Sequence, residues 1–369
     1  MTAQHTPVDV VCLGESMVTF LPSQPGRLAD VPSFDRGIGG AESNVACVLA
    51  AAGHTAKWVS RVGADGFGDH LVETIASYGV DTSAVQRDPH RPTGVYFRTA
   101  EDRDGDTHEV AYYRAGSAAA AMSPASFRRD DLWSGRILHL SGITAALSPD
   151  CLALMRELTA PAPGRPLVSF DVNHRPGLWH EADGPQVLLD LARGADVVFV
   201  GETEAETAWG LHGPEAIRRA LPEPGVLVVK RGAAGVVVFS ADPMRNQAPP
   251  GGPPGRSLGE LEERGPGGAA PETVTYIPAL RVTVAAPIGA GDAFAAGYLS
   301  ATLRDLPVRE RARHGHLAAA AALTVHGDLA APPARAHADR LAGLDDAAWG
   351  RLRVGPGWTG APEQEVRTT

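Results

Sequence analysis

The sequence predicts a three-layer α/β/α sandwich around a mainly parallel sheet, with a small β lid on one edge. Three observations predict it. Short apolar runs rich in β-branched residues alternate with helix-like segments along most of the 369 residues, the pattern of repeated β-α units. The connections between them are short, as in sheets covered by helices on both faces. Two segments, at about residues 17–36 and 93–114, carry hairpin-like elements that break the alternation, and they are assigned to the lid.

The elements follow in order. Residues 8–14 (Val-Asp-Val-Val-Cys-Leu-Gly) read as a buried strand that stops at Gly14. A loop-rich stretch runs to Gly37, and Gly39-Gly40 then introduce a small-residue helix over 41–52, closed by Gly53. Residues 55–62 form a strand, 63–68 a turn and 69–78 a helix. Strands at 95–99 and 110–114 flank the charged turn 101–106 and give an exposed hairpin. Strands at 137–140 and 167–171 enclose a helix at 149–158. Strands at 197–200 and 226–230 enclose the mostly helical 202–221, and 236–239 folds back on its predecessor. Helices at 292–303 and 308–325 close the fold. Residues 1–354 are read as one domain. The stretch 241–272, with Pro249-Pro250-Gly251-Gly252-Pro253-Pro254, is a surface insertion, and 355–369 is a flexible tail.

Composition narrows the function. The chain has 44% apolar and 21% charged residues and a net charge of −10. That balance argues against general attraction to nucleic acid or to an anionic membrane. Among 33 basic residues only Lys57 and Lys230 are lysine, so arginine must do most of any anion recognition, a task its bidentate fork suits. Cys12, Cys47 and Cys151 are too few and too scattered for a disulfide framework or a zinc site. Residues 1–10 lack the apolar centre of a signal peptide, and no apolar run reaches the 18–20 residues that span a bilayer. A cytoplasmic protein is expected.

The strongest chemical signal is Ile288-Gly289-Ala290-Gly291-Asp292-Ala293-Phe294. Small residues let backbone amides converge at a helix N-terminus, which attracts anions such as a phosphoryl group. Asp292 beside them could take a proton from an attacking hydroxyl. The same residues also suit a plain aspartate cap after a tight turn. Gly39-Gly40 with Asn44 offers close backbone approach and a sugar-binding amide, though a simple helix-start turn explains it equally. Asp171-Val172-Asn173-His174-Arg175 ends a buried strand where ligands bind in open α/β sheets. Tyr112-Tyr113-Arg114 closes the lid hairpin, and two arginines, Arg114 and Arg175, suggest an acidic sugar. Glu204, after Gly201, suits either hydrated Mg²⁺ or a helix start. Lys230 to Gly235 is a nucleotide-edge loop or a hairpin.

Together these segments, over about residues 8–330, resemble the ribokinase-like carbohydrate kinases of the PfkB family, and most closely its 2-keto-3-deoxygluconate kinases. The longer strings that carry the likeness are 112–118, His139 to Thr144 and Asp171 to Trp179. The resemblance implies an ATP-dependent kinase using Mg²⁺ to phosphorylate a small keto-acid sugar to its 6-phosphate, and a homo-oligomer, dimer or larger. Asp292 would be the base, with Gly289, Ala290 and Gly291 as the anion hole. Gly40, Asn44, Tyr96, Tyr112, Arg114, Arg175 and Asp328 would bind the sugar. Asn173, Gly201, Lys230, Gly232, Gly235 and His316 would lie along ATP, and Glu204 near the metal. Three positions depart from the family pattern. Ala286 replaces the acid tied to a monovalent-cation loop, Gly201 replaces an Asn, and His316 replaces another. A fructokinase- or ribokinase-like kinase, or a catalytically weak sugar- or nucleotide-binding regulator, remains the alternative.

Overall fold

Val10 and Cys12 face one side of the first strand and Val11 and Leu13 the other, and all four are fully buried. The same split recurs at Val226 and Val228 against Leu227 and Val229. A strand with two buried faces needs a layer on each, and that requirement sets the architecture. In the computed structural model, residues 8–24, 26–99, 109–179, 183–241, 272–286, 288–325 and 327–360 are described.

The central sheet has eight strands, in the order Thr273–Ile277, Val236–Ser240, Val226–Lys230, Val197–Gly201, Leu167–Asp171, Gly135–Ser141, Val8–Leu13 and Ala56–Val59. Every pairing is parallel except the two made by Val236–Ser240. Helices Ala41–Ala51, Ala290–Leu303, Val308–Leu323 and Arg335–Ala342 pack on one face. Helices Pro149–Thr159, Gly184–Arg193, Glu202–Trp209 and Pro214–Ala220 pack on the other. Because the strands run in parallel, Gly14, Asp171, Gly201 and Lys230 reach the same edge of the sheet, where such folds bind ligands.

The lid is a separate four-stranded sheet, in the order Phe34–Gly39, Met17–Pro22, Val95–Arg98, Val110–Tyr113. Thr19, Tyr96 and Tyr112 sit opposite one another across three strands and share one face. On the other face Phe20 stacks on Phe97 with ring centres 4.8 Å apart, flanked by Phe34 and Tyr113.

The structure departs from the sequence reading in four places. The 55–62 strand is two, because Arg61–Gly63 leaves the main sheet to pair with Gln86–Asp88. Helices Gly184–Arg193 and Arg335–Ala342 and the edge strand Thr273–Ile277 were not anticipated. The closing helix begins at Ala290, so Asp292 is its third residue and not its first. The chain does not fray from Gly355: residues 355–360 form a turn that buries Trp358 to 1% exposure, its ring 6.0 Å from His337. The 101–106 turn and nearly all of the 241–272 insertion lie outside the described residues. Among the described residues no helix is long and apolar enough to cross a membrane.

Candidate active site

A cleft of about 670 Å³ lies between the lid and the carboxyl edge of the sheet. Its floor is the start of helix Ala290–Leu303. Gly289 caps that helix with φ 71°, and a Cβ there would stand 2.3 Å from the Asp328 carbonyl oxygen. Only glycine fits both conditions. The first helical bond runs from the Ala293 N–H to the Gly289 carbonyl, so the amides of Ala290, Gly291 and Asp292 have no intrahelical acceptor. They form a preset anion-binding arc.

Asp292 stands in this arc. Asn44, from the helix opposite, donates its Nδ2–H to Asp292 Oδ2 at 2.9 Å. Loss of solvent around the carboxyl pushes its pKa up to about 7, even though Asn44, Lys230 and Arg175 pull the other way. A carboxylate so poised is suited to accept a proton near neutrality.

Lys230, at the end of its strand, binds both oxygens of Asp171 at 3.0 and 2.8 Å. Burial alone would lower the Lys230 pKa, but Asp171 and Glu204 more than reverse this and leave it raised. The ammonium therefore stays charged, close to Gly291. Glu204 accepts the Gly201 N–H at 2.8 Å and the His174 N–H. Burial, with Asp171 adding to it, raises its pKa. Glu204 thus closes the start of helix Glu202–Trp209 while facing the cleft.

The lid side carries charge in pairs. Asp328 accepts from the Tyr96 hydroxyl at 2.8 Å and from Arg98 Nη2 at 2.7 Å. Burial and then Asp328 push the Tyr96 phenol well above its usual range. Arg114 forms an ion pair with Glu15, whose side chain is fully buried. Ser117 donates to Glu15 Oε1 at 2.7 Å. The Arg114 guanidinium also lies 5.7 Å from the centre of the exposed Tyr112 ring. Arg175, by contrast, is exposed, and among the described residues it donates to the neighbouring His174 carbonyl at 3.3 Å.

The cleft gathers most of the residues singled out in the sequence, among them Gly40, Asn44, Asn173, Gly201 and Asp328. Three are not among its lining. Gly232 and Gly235 sit in the turn beyond Lys230, with Gly235 against the Ile277 carbonyl. His316 is buried, faces the same carbonyl at 3.3 Å and packs on Phe294 and Trp349. Hairpin and core packing account for these three in the structure, and their place along ATP remains a proposal. Sequence reasoning left out Glu15 and Arg98, and it placed Asp171 at a ligand-binding strand end without giving it a role. Each carried a signal, since Glu15 and Asp171 are acids at strand ends and Arg98 lies two residues from Tyr96 on the same strand face.

Comparison with known proteins agrees with this geometry. The sequence pattern of the pfkB family carbohydrate kinases matches residues 8–335. A 2-dehydro-3-deoxygluconokinase of Bacillus subtilis is 32% identical over 339 residues, covering 89% of this chain and 93% of that one. Its namesake from Thermoproteus tenax is 30% identical over 338 residues, covering 90% and 94%. The crystal structure of a PfkB protein from Polaromonas superposes with a TM-score of 0.71 at 32% identity, over 85% of this chain and 95% of that one. The chain belongs to the pfkB family of carbohydrate kinases, has its ribokinase-like fold, and is an ATP-dependent sugar kinase.

Proposed function

We propose that the protein transfers a phosphoryl group to a hydroxyl of 2-keto-3-deoxygluconate, giving the 6-phosphate. The observation that carries the chemistry is Asp292, held through Oδ2 by Asn44 and standing among the free amides of Ala290 to Asp292. Its other oxygen is left to take the hydroxyl proton as the new O–P bond forms. ATP supplies the γ-phosphoryl group, and Mg²⁺ offsets its charge. The residues suit both. Lys230 offers a fixed positive charge, the helix start offers amides, and Asn173 and Gly201 border the same cleft. Among the described residues no cluster of three or more His, Cys, Asp or Glu could cage a metal. A Mg²⁺ here would keep most of its waters and be held through phosphate, and Glu204 and Asp171, which line the cleft, would be the carboxylates available to those waters.

The keto-acid assignment rests on the two curated relatives and on Arg175, the exposed cation at the cleft. Arg114 supports it less than the sequence implied, because Glu15 already matches its charge. That pairing favours, as a second reading, a neutral sugar such as fructose. A coupled ADP-release assay across sugars and sugar acids separates the two. The highest kcat/KM is expected for 2-keto-3-deoxygluconate, and a higher value for fructose or ribose would transfer the assignment to that sugar. A dimer or larger homo-oligomer fits the lid's aromatic outer face, where Tyr113 is 66% exposed, and light scattering checks it. A cytoplasmic location is retained as part of the proposal.

A further inference from the structure

Arg98 touches neither the helix start nor Asp292, yet it is 4% exposed and directed at one partner. Its Nη2 donates to Asp328 Oδ1 at 2.7 Å, while Tyr96, two residues earlier, donates to Asp328 Oδ2 at 2.8 Å. Both donors come from the lid strand Val95–Arg98. The acceptor comes from the segment that follows the last core helix of the kinase site. The backbone of that same residue presses on the anion-binding turn, because the Asp328 carbonyl oxygen lies 2.3 Å from where a Gly289 Cβ would be. The room for the contact is made by a third element. A Cβ on Gly39 would meet the Tyr96 hydroxyl at 2.5 Å and Asp328 Oδ2 at 2.6 Å.

We propose that Arg98 is a positioning residue that, through Asp328, ties the lid to the Gly289 turn, so that the amide arc is set only when the lid is seated. The physical argument is one of stiffness. A buried carboxylate gripped by a guanidinium on one oxygen and a phenol on the other has little freedom, and its backbone is one residue's width from its side chain. A shift of the lid strand therefore moves the Asp328 carbonyl, and Gly289 must follow or clash. Arg98 borders the cleft, but in this proposal its effect on the reaction runs through Asp328. The inference rests on the kinase reading, but not on which sugar is used.

The test compares wild type with Arg98→Met, Arg98→Lys and Tyr96→Phe, using whichever sugar the wild type turns over best, with sugar and ATP each varied at saturating levels of the other. That choice keeps a wrong substrate assignment, visible in wild type alone, apart from failure of this inference. Arg98→Met is expected to lower kcat about 10- to 100-fold, with a smaller change in the KM for ATP. Arg98→Lys should recover most of the loss, and Tyr96→Phe should lower kcat several-fold. If Arg98→Met does not fold, Arg98→Lys and Tyr96→Phe decide, each expected to lower kcat at least about threefold. An unchanged kcat in the folded variants, with only the sugar KM raised, overturns the inference, for it would mean that Arg98 merely shapes the sugar pocket.

Discussion

Asn44 and Asp292 lie 248 residues apart in sequence and 2.9 Å apart in space, joined by a single amide-to-carboxylate hydrogen bond. One helix start thereby fixes the orientation of the carboxylate on another. The bond also acts on the protonation of Asp292, since it is the strongest influence opposing burial there.

Replacing the carboxylate removes the proton acceptor but keeps its shape. Asp292→Asn should lower kcat by roughly 10²-fold or more, the scale of lost general-base catalysis, while ATP and sugar still bind. Steady-state kinetics with calorimetric binding will check this. Undiminished turnover in the folded variant would remove Asp292 from the mechanism.

The base works only when ionised, and its pKa is raised to about 7. In the free enzyme kcat/KM should therefore fall as pH drops through about 7. Asn44→Ala deletes a bond that favours the ionised form, so the acidic limb should move up by about one unit, the worth of one hydrogen bond to a charged group. A limb that stays in place in the variant would show that another group controls it.

Glu42, two residues from Asn44 and within electrostatic reach of Asp292, offers a stability test. It is fully buried beneath the cleft, and Ser141 and Thr144 donate to its Oε1 at 2.8 and 2.9 Å. Burial raises its pKa from 4.5 to about 7, against the pull of those bonds. A folded pKa above the unfolded one means stability that is present below pH 4.5 and is lost as pH rises through about 7. Glu42→Gln keeps an Oε1 acceptor and never ionises. Its advantage over wild type should grow between pH 5 and 8, reaching at most about 3 kcal/mol. Thermal melts across that range measure it, and a difference that does not vary with pH would contradict it.

Two of the cleft arginines, Arg114 and Arg175, should behave unlike each other. Arg175 is exposed and, among the described residues, makes no ion pair or hydrogen bond to a carboxylate, acting on Asp292 only through space, so Arg175→Ala should leave Tm nearly unchanged. It should weaken keto-acid binding by about 1.5–3 kcal/mol, the range for a charge-assisted bond. Arg114→Ala strands the buried Glu15 carboxyl and should destabilise the fold by roughly 3–5 kcal/mol. Melting curves and KM values for the keto acid and for fructose distinguish the two. Equal Tm losses would break the contrast.

The sheet and the floor of the site were legible because both are written locally. Asp171 and Lys230 end apolar runs, and a polar residue in that place marks the carboxyl edge of a strand. Gly289 to Asp292 announce a turn and a helix start within four residues. Partnerships across the fold left no such mark. Arg114 read as a free cation because nothing near it in sequence points to Glu15, and Arg98 went unnoticed because its partner is 230 residues away. Helix Gly184–Arg193 was missed although Val187, Leu188, Leu191 and Ala192 follow helical spacing and are buried, since Gly184-Pro185 at its start reads as a loop. Trp358, among glycines, looked like tail composition, yet it closes a gap in the core beside His337.

The long reach from Arg98 to Asp328 has a consequence for synthesis. The lid strand leaves the ribosome early, but its acidic partner follows 230 residues later. At translation rates of about 5–20 residues per second, Arg98 waits about 10–50 s for a counter-charge. Until then, burying the Arg98 guanidinium would leave it without this counter-charge, at a cost in free energy, so seating of the lid over the cleft is expected to wait for the segment that carries Asp328.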